Sequence, residues 1–184
     1  RDRADGLRVS FAGAVAELDT ELISRAVLTG YLSSGRHEAQ VNLINAPAVA
    51  KALGIVVQKS SLVVETPYAE LIEVDAIKGA EQVAVAGTFL GSQARVVHIA
   101  GHNVETNVSG RFLFVENDDR PGMVGTVGMA LGAAAVNIAN MSLSRTKDRS
   151  RAVTVIEVDS ELPQSLLDSL RQTPGILRVL TMEF

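Results

Sequence analysis

The sequence predicts an α+β chain of two modules, residues 1–108 and 109–184, each a mostly antiparallel sheet with two helices on one face. Three observations predict it. After one short strand, the apolar residues of the first module recur every three to four positions as far as Leu53, and beyond that every second position. The second module changes period in the order βαββαβ, the split βαβ arrangement of ferredoxin-like domains. With 47% hydrophobic residues in 184, the chain has enough apolar surface for two small cores.

In the first module Leu7, Val9 and Phe11 alternate and predict a strand over 7–12. A helix opens at Asp19-Thr20-Glu21, with Asp19 or Thr20 as its cap. Leu22, Ala26 and the stretch 28–32 supply its apolar side, and Ser33-Ser34-Gly35 stops it. Asn45 as cap and Pro47 in the first turn start a second helix over 48–53, which Gly54 ends. A strand follows over 55–58. Residues 70–77 place Ile72, Val74 and Ala76 on one face and Glu73 and Asp75 on the other. Turns at Gly79 and Gly91-Ser92 link this strand to strands over 81–89 and 93–99, an antiparallel meander that ends at Ala100-Gly101.

In the second module a strand over 111–117 runs into the polar residues Asn117-Asp118-Asp119-Arg120. Pro121 suits the first helical position, where its missing N–H has no intrahelical partner to lose. The helix reaches Ala135 and buries Val124, Val127, Leu131 and Ala134, while its Ala and Gly residues let other backbone approach. Strands over 138–145 and 152–158 form a hairpin around a solvated turn with Arg145, Lys147, Arg149 and Arg151. Leu162-Pro163-Gln164 starts a second helix with Leu166, Leu167 and Leu170 inward; Pro174-Gly175 breaks it before a last strand over 176–182. The sheet's other face and its edges are left for partners.

Several functions are disfavoured. The net charge is −4 and neither half is basic enough for a nucleic-acid footprint. No apolar run approaches the ~18–20 residues that span a bilayer. The absence of cysteine excludes disulfides and thiolate metal sites and fits a cytoplasmic protein. His37, His98 and His102 are scattered, without metal-ligand spacing or a neighbouring serine or carboxylate that makes a catalytic set. Gly125, Gly128 and Gly132 lie inside a helix, so they serve packing, and no GxGxxG follows a strand. With no initiating Met and no signal-peptide pattern, the start looks like a cut, and a longer parent is expected.

One place does carry chemistry. Asn117 and Asp119 end a strand beside a helix N-terminus, whose free N–H groups favour an anion. Acceptors for an ammonium next to donors for a carboxylate are what a free amino acid needs. The plainer alternatives are that Asp119 caps the helix and that Asn137 ends it in a left-handed conformation.

The run Asn117-Asp118-Asp119-Arg120-Pro121-Gly122, the Gly-rich helix and Val136-Asn137-Ile138 resemble the ACT domain, an amino-acid-binding regulatory module, over residues 111–184. A second resemblance lies upstream. Val41-Asn42-Leu43-Ile44-Asn45-Ala46-Pro47-Ala48, Gly87-Thr88-Phe89-Leu90-Gly91 and Arg95-Val96-Val97-His98-Ile99-Ala100-Gly101 are similar to the intervening, allosteric substrate-binding domain of long-form D-3-phosphoglycerate dehydrogenases. In that family this domain precedes a C-terminal ACT domain. A related pair of modules occurs in iron–sulfur L-serine dehydratases, whose Ser/His-rich motif is missing here.

The resemblance implies the regulatory part of an NAD-dependent oxidoreductase of L-serine synthesis, with catalysis and NAD outside this segment and no cofactor or metal within it. It implies L-serine as effector and a homodimer or homotetramer, formed through both modules, with two ACT domains side by side in an eight-stranded sheet. Asn117 and Asp119 of one chain would hold the ligand with Asn137 of the other, and the N–H groups near Gly122, Met123 and Val124 would take its carboxylate. Arg95 matches one basic position of the family's anion site; Asn107 and Glu157 stand at the others. The alternatives are a structural assembly module with a vestigial ligand site, or the regulatory part of an L-serine dehydratase.

Overall fold

Strand β1 (Gly6–Gly13) turns Leu7, Val9 and Phe11 to one side and Arg8 and Ser10 to the other, as a two-residue period requires. The computed structural model describes residues 3–33, 40–62 and 66–183. It divides into two compact units, Arg1–Ala94 with His98–Gly101, and Arg95–Val97 with His102–Phe184.

In the first unit β1 leads through a 3-10 turn (Ala14–Glu17) to α1 (Thr20–Ser33), α2 (Ala46–Ala52) and β2 (Val56–Ser61). β2 returns parallel to β1, with Gly6 opposite Val56. The antiparallel neighbours are β3 (Glu70–Lys78) against β1 and β4 (Glu81–Leu90) against β3. With β5 (Gln93–Ile99) and β6 (His102–Asn107) the strand order is β2-β1-β3-β4-β5-β6. Leu7 packs with Leu28, Leu32, Ala46, Ala50 and Ile55, and Val9 and Phe11 pack with Val15.

Two local expectations are corrected. Leu22 is 60% exposed and Ala26 is also exposed; α1 buries Ser24, Leu28 and Leu32. The Leu28–Leu32 pair fixes the phase of the buried stripe, and one turn earlier the stripe meets Ser24, whose hydroxyl donates to the Thr20 carbonyl at 2.7 Å. Asn45 occupies the cap position of α2 without capping it, because its Oδ1 accepts the Asn42 N–H at 2.8 Å. Asp19 is the residue at the start of α1 that accepts a helical N–H, from Glu21 at 3.0 Å. The Ser34-Gly35 stop lies outside the described residues.

β6 was not foreseen. His102, expected in a turn, opens it, and Val104 and Thr106 are its buried side. The polar residues between them hide the alternation.

The second unit carries β7 (Arg111–Asp118), α3 (Met123–Ala133), β8 (Ile138–Arg145), β9 (Arg151–Val158), α4 (Gln164–Gln172) and β10 (Ile176–Glu183). The sheet order is β10-β7-β9-β8, with all three neighbouring pairs antiparallel, so the βαββαβ order folds as expected. Leu113, Val115, Ile156 and Val158 face Val127 and Leu131 of α3 and Leu166, Leu167 and Leu170 of α4. Val124 is 45% exposed, contrary to expectation, and Met123 takes its place in the core. The helix begins two residues after Pro121, behind the left-handed Gly122 (φ 92°), and its buried stripe is Met123, Val127 and Leu131. The opposite face is not left open either: Phe112, Phe114, Val153 and Val155 are buried there, and β6 packs against β8 and β9.

Candidate functional site

The end of β7 is held from both sides. Asn117 stands opposite Ile176 of β10 and Ala152 of β9, and the side chain is buried, with Nδ2 donating to the Asp118 carbonyl at 2.6 Å. The next amides continue outward: Asp118 N–H donates to Gly175 O at 2.8 Å and Asp119 N–H to Ser150 O at 3.1 Å. Arg120 donates to the Pro174 carbonyl and, through Nε, to Met123 Sδ at 3.4 Å. These hydrogen bonds pin the turn between strand and helix.

Asp119 does not cap α3. Its carboxylate accepts Arg145 Nε at 2.6 Å, with the Asp119 side chain 13% exposed and Arg145 50%. No side chain caps α3 at Gly122, so the first-turn N–H groups keep their partial positive charge for another acceptor. Met123 can offer only its backbone, since its side chain is buried in the core. Val124 stands exposed beside it.

Asn137 lies beyond the far end of α3. Eleven helical residues separate it from Gly122, about 16 Å at 1.5 Å per residue. Asn117, Asp119, Gly122, Met123 and Val124 thus lie along one strand-to-helix turn, and Asn137 lies beyond the other end of the helix. The left-handed residue at the helix exit is Ala135 (φ 56°), so Asn137 is not there to end the helix. It is exposed, and its Nδ2 donates to Asp159 Oδ2 at 2.6 Å.

A second polar cluster forms at Arg95, within the second unit. A pocket of about 340 Å³ is lined by Arg95, Glu105, Thr106, Asn107, Ala139, Asn140 and Glu157. Asn107 Nδ2 donates to both Glu157 oxygens, at 3.0 and 2.8 Å. Arg95, Asn107 and Glu157, far apart in sequence, thus line one pocket. Glu105 and Asn140 were missed. Glu105 rides on the unforeseen β6, and Asn140 reaches its place through a register shift after Ile138 that sets it opposite Glu157.

In the first unit a pocket of about 460 Å³ has Leu28, Ala50 and Ile55 in its lining and Glu21, Arg25, Lys51 and Lys59 around it. Lys59 and Arg25 bond the two Glu21 oxygens at 2.8 and 2.9 Å and hold that carboxyl below its ordinary value, the Lys59 hydrogen bond most. Among the described residues His98 Nδ1 is buried without a hydrogen-bond partner, and no group of three or more His, Cys, Asp or Glu could hold a metal ion. His37 lies outside the described residues. No described helix is long and apolar enough to cross a membrane.

A ferredoxin-like βαββαβ unit with an uncapped helix start beside a strand-end carboxylate has the architecture of an ACT domain. Residues 111–175 match the ACT domain, and residues 1–100 match the D-3-phosphoglycerate dehydrogenase intervening domain. The chain belongs to the D-3-phosphoglycerate dehydrogenase intervening-domain family. It is 30% identical over 166 residues to D-3-phosphoglycerate dehydrogenase of Methanocaldococcus jannaschii, covering 90% of this chain and 31% of that protein. It is 28% identical over 180 residues to the Bacillus subtilis enzyme, covering 97% and 34%. The chloroplastic D-3-phosphoglycerate dehydrogenase 2 of Arabidopsis thaliana is 27% identical over 167 residues, covering 84% and 27%. The chain thus spans about a third of the length of these curated relatives.

Proposed function

We propose that this chain is the regulatory and assembly portion of a cytoplasmic, NAD-dependent D-3-phosphoglycerate dehydrogenase, divided into modules at 1–108 and 109–184, and that it binds L-serine where two ACT domains pair in a homodimer or homotetramer. The observation that carries the proposal is the start of α3: Gly122 leaves it without a side-chain cap, and Asp119 stands beside it. The N–H groups of Gly122, Met123 and Val124 suit the ligand carboxylate, and Asp119 with Asn117 suits the ammonium and hydroxyl groups.

Asn137 of a second copy completes the site. Its Nδ2 is oriented by Asp159, which leaves Oδ1 as an acceptor for the ligand. Two features support pairing through this side. β8 is an edge strand of the four-stranded sheet, and α3 exposes Val124 and Met129.

A ligand shared by two chains favours the arrangement that closes both around it. Serine has about seven heavy atoms, so its binding is bounded at roughly −10 kcal/mol. A coupling of about 1–3 kcal/mol is enough to bias the catalytic part of a parent enzyme. The Asp119–Arg145 ion pair favours a second reading, an assembly module whose ligand site has closed.

Thermal denaturation with and without L-serine separates the two. Serine raises the midpoint of the unmodified chain, and Asp119→Ala or Asn137→Ala removes that rise while the ligand-free midpoint moves little. A rise that survives in both variants rejects the site, and no rise in the unmodified chain supports the assembly reading.

A further inference from the structure

The charges around Glu157 do not suit a simple anion or a simple cation. Two carboxylates, Glu105 and Glu157, share the pocket with one guanidinium, Arg95, and two amides, Asn107 and Asn140. A phosphate there meets more negative than positive charge, and a bare cation meets Arg95. A calcium ion takes six to eight oxygens and magnesium six, with carboxylates prominent among them, and this lining offers two carboxylates beside a fixed positive charge.

We infer that this pocket binds a small α-amino acid as its zwitterion, with the ammonium on Glu157 and Glu105 and the carboxylate on Arg95. Glu157 is preorganised for the task. Asn107 Nδ2 reaches both of its oxygens, at 3.0 and 2.8 Å, and a carboxylate has about four acceptor positions, so acceptors remain for an ammonium. A guanidinium has five N–H donors, so Arg95 can grip a ligand carboxylate while keeping a protein partner.

The backbone also bends to build the site. The register of β8 on β9 shifts between Ile138 and Asn140, which sets Asn140 opposite Glu157, and Ala139 at the shift lines the pocket. Such bulges re-aim side chains beside binding sites. Glu105 is fixed against β8 by its N–H, which donates to Ser142 Oγ at 2.9 Å. A volume of about 340 Å³ has room for a ligand of a few heavy atoms with some water. The inference does not depend on the strand-end site proposed above, because the two share no residue.

The test is an amide NMR titration of the isotopically labelled 184-residue chain. Glycine and L-serine are compared with ethanolamine, glycolate, inorganic phosphate and Mg²⁺. The zwitterions shift the amides of Glu105, Asn107 and Asn140, and ethanolamine and glycolate bind at least about tenfold more weakly. Glu157→Gln and Glu105→Gln each weaken glycine at these amides about tenfold or more, while Asn137→Ala leaves them unchanged. Glu105 is exposed, so its variant decides the matter even if Glu157→Gln fails to fold. Phosphate or Mg²⁺ binding more tightly than glycine overturns the inference, as does glycine binding indifferent to the foldable Gln variants, or no shift at these amides. Loss of serine shifts at Asp119 and Gly122 alone counts against the strand-end site and leaves this pocket standing.

Discussion

Arg145 is expected to compete with the effector, and the size of that competition follows from its geometry. Its Nε lies 2.6 Å from Asp119 Oδ2, the carboxylate proposed to receive the ligand ammonium. The guanidinium is half exposed, so solvent screens the pair, and such pairs contribute about 0.2–1 kcal/mol. An ammonium that takes over Asp119 must first displace Arg145. Arg145→Gln removes that cost, so serine affinity should rise by up to about fivefold, the equivalent of roughly 1 kcal/mol. The ligand-free fold should lose no more than the same amount. Calorimetric titration of L-serine into the unmodified chain, Arg145→Gln, Asp119→Asn and the double variant measures each leg of the cycle. Salt makes a further check: raising ionic strength weakens the ion pair, so the gap between the unmodified chain and Arg145→Gln should narrow. If Arg145→Gln weakens serine binding, Arg145 positions Asp119 for the ligand and does not compete with it. If Asp119→Asn binds serine as well as the unmodified chain, Asp119 is not the ammonium acceptor and the reasoning fails at its root.

Two further predictions concern the fold. Gly13 has φ 70° and ψ −150°, a region almost closed to other residues, and a Cβ there would come within 2.8 Å of Ala69 C and 3.1 Å of Glu70 Cα. Gly13→Ala should therefore cost about 3 kcal/mol or more in urea unfolding, and a loss below about 1 kcal/mol contradicts this backbone placement. Asp148 sits in the β8–β9 turn with its carboxyl lowered from 3.8 to about 2, first by the Thr146 hydroxyl and then by the Ser150 N–H and hydroxyl. Its contribution to stability is complete above 3.8 and is lost as pH falls through about 2. An NMR titration should place the midpoint near 2 and find it moved toward 3.8 in Thr146→Ala; an unmoved midpoint rules out the hydroxyl as the main cause.

Much of the fold was legible in the chain because it depends on local period. Leu7, Val9 and Phe11 form one buried side of β1, and Leu166, Leu167 and Leu170 turn inward on α4. The order βαββαβ survives intact in the sheet β10-β7-β9-β8. Phase was harder than period. α1 and α3 are rich in apolar residues around their circumference, so composition alone does not say which stripe faces the sheet. The covering elements chose Ser24 over Leu22 and Met123 over Val124.

The sequence by itself determined the secondary-structure order, the strand-end polar run and its nearness to a helix start, because these arise from residues close in the chain. Only the tertiary structure decided who their partners are. Arg145 reads as one charge in a solvated turn, yet the β8–β9 hairpin returns it to Asp119. Arg95, Asn107 and Glu157 were grouped only by resemblance to a family site; the packing of β6 against β8 and β9 is what puts Asn107 on Glu157. Charge pairing depends on distance through space, and only strand register and packing set that distance.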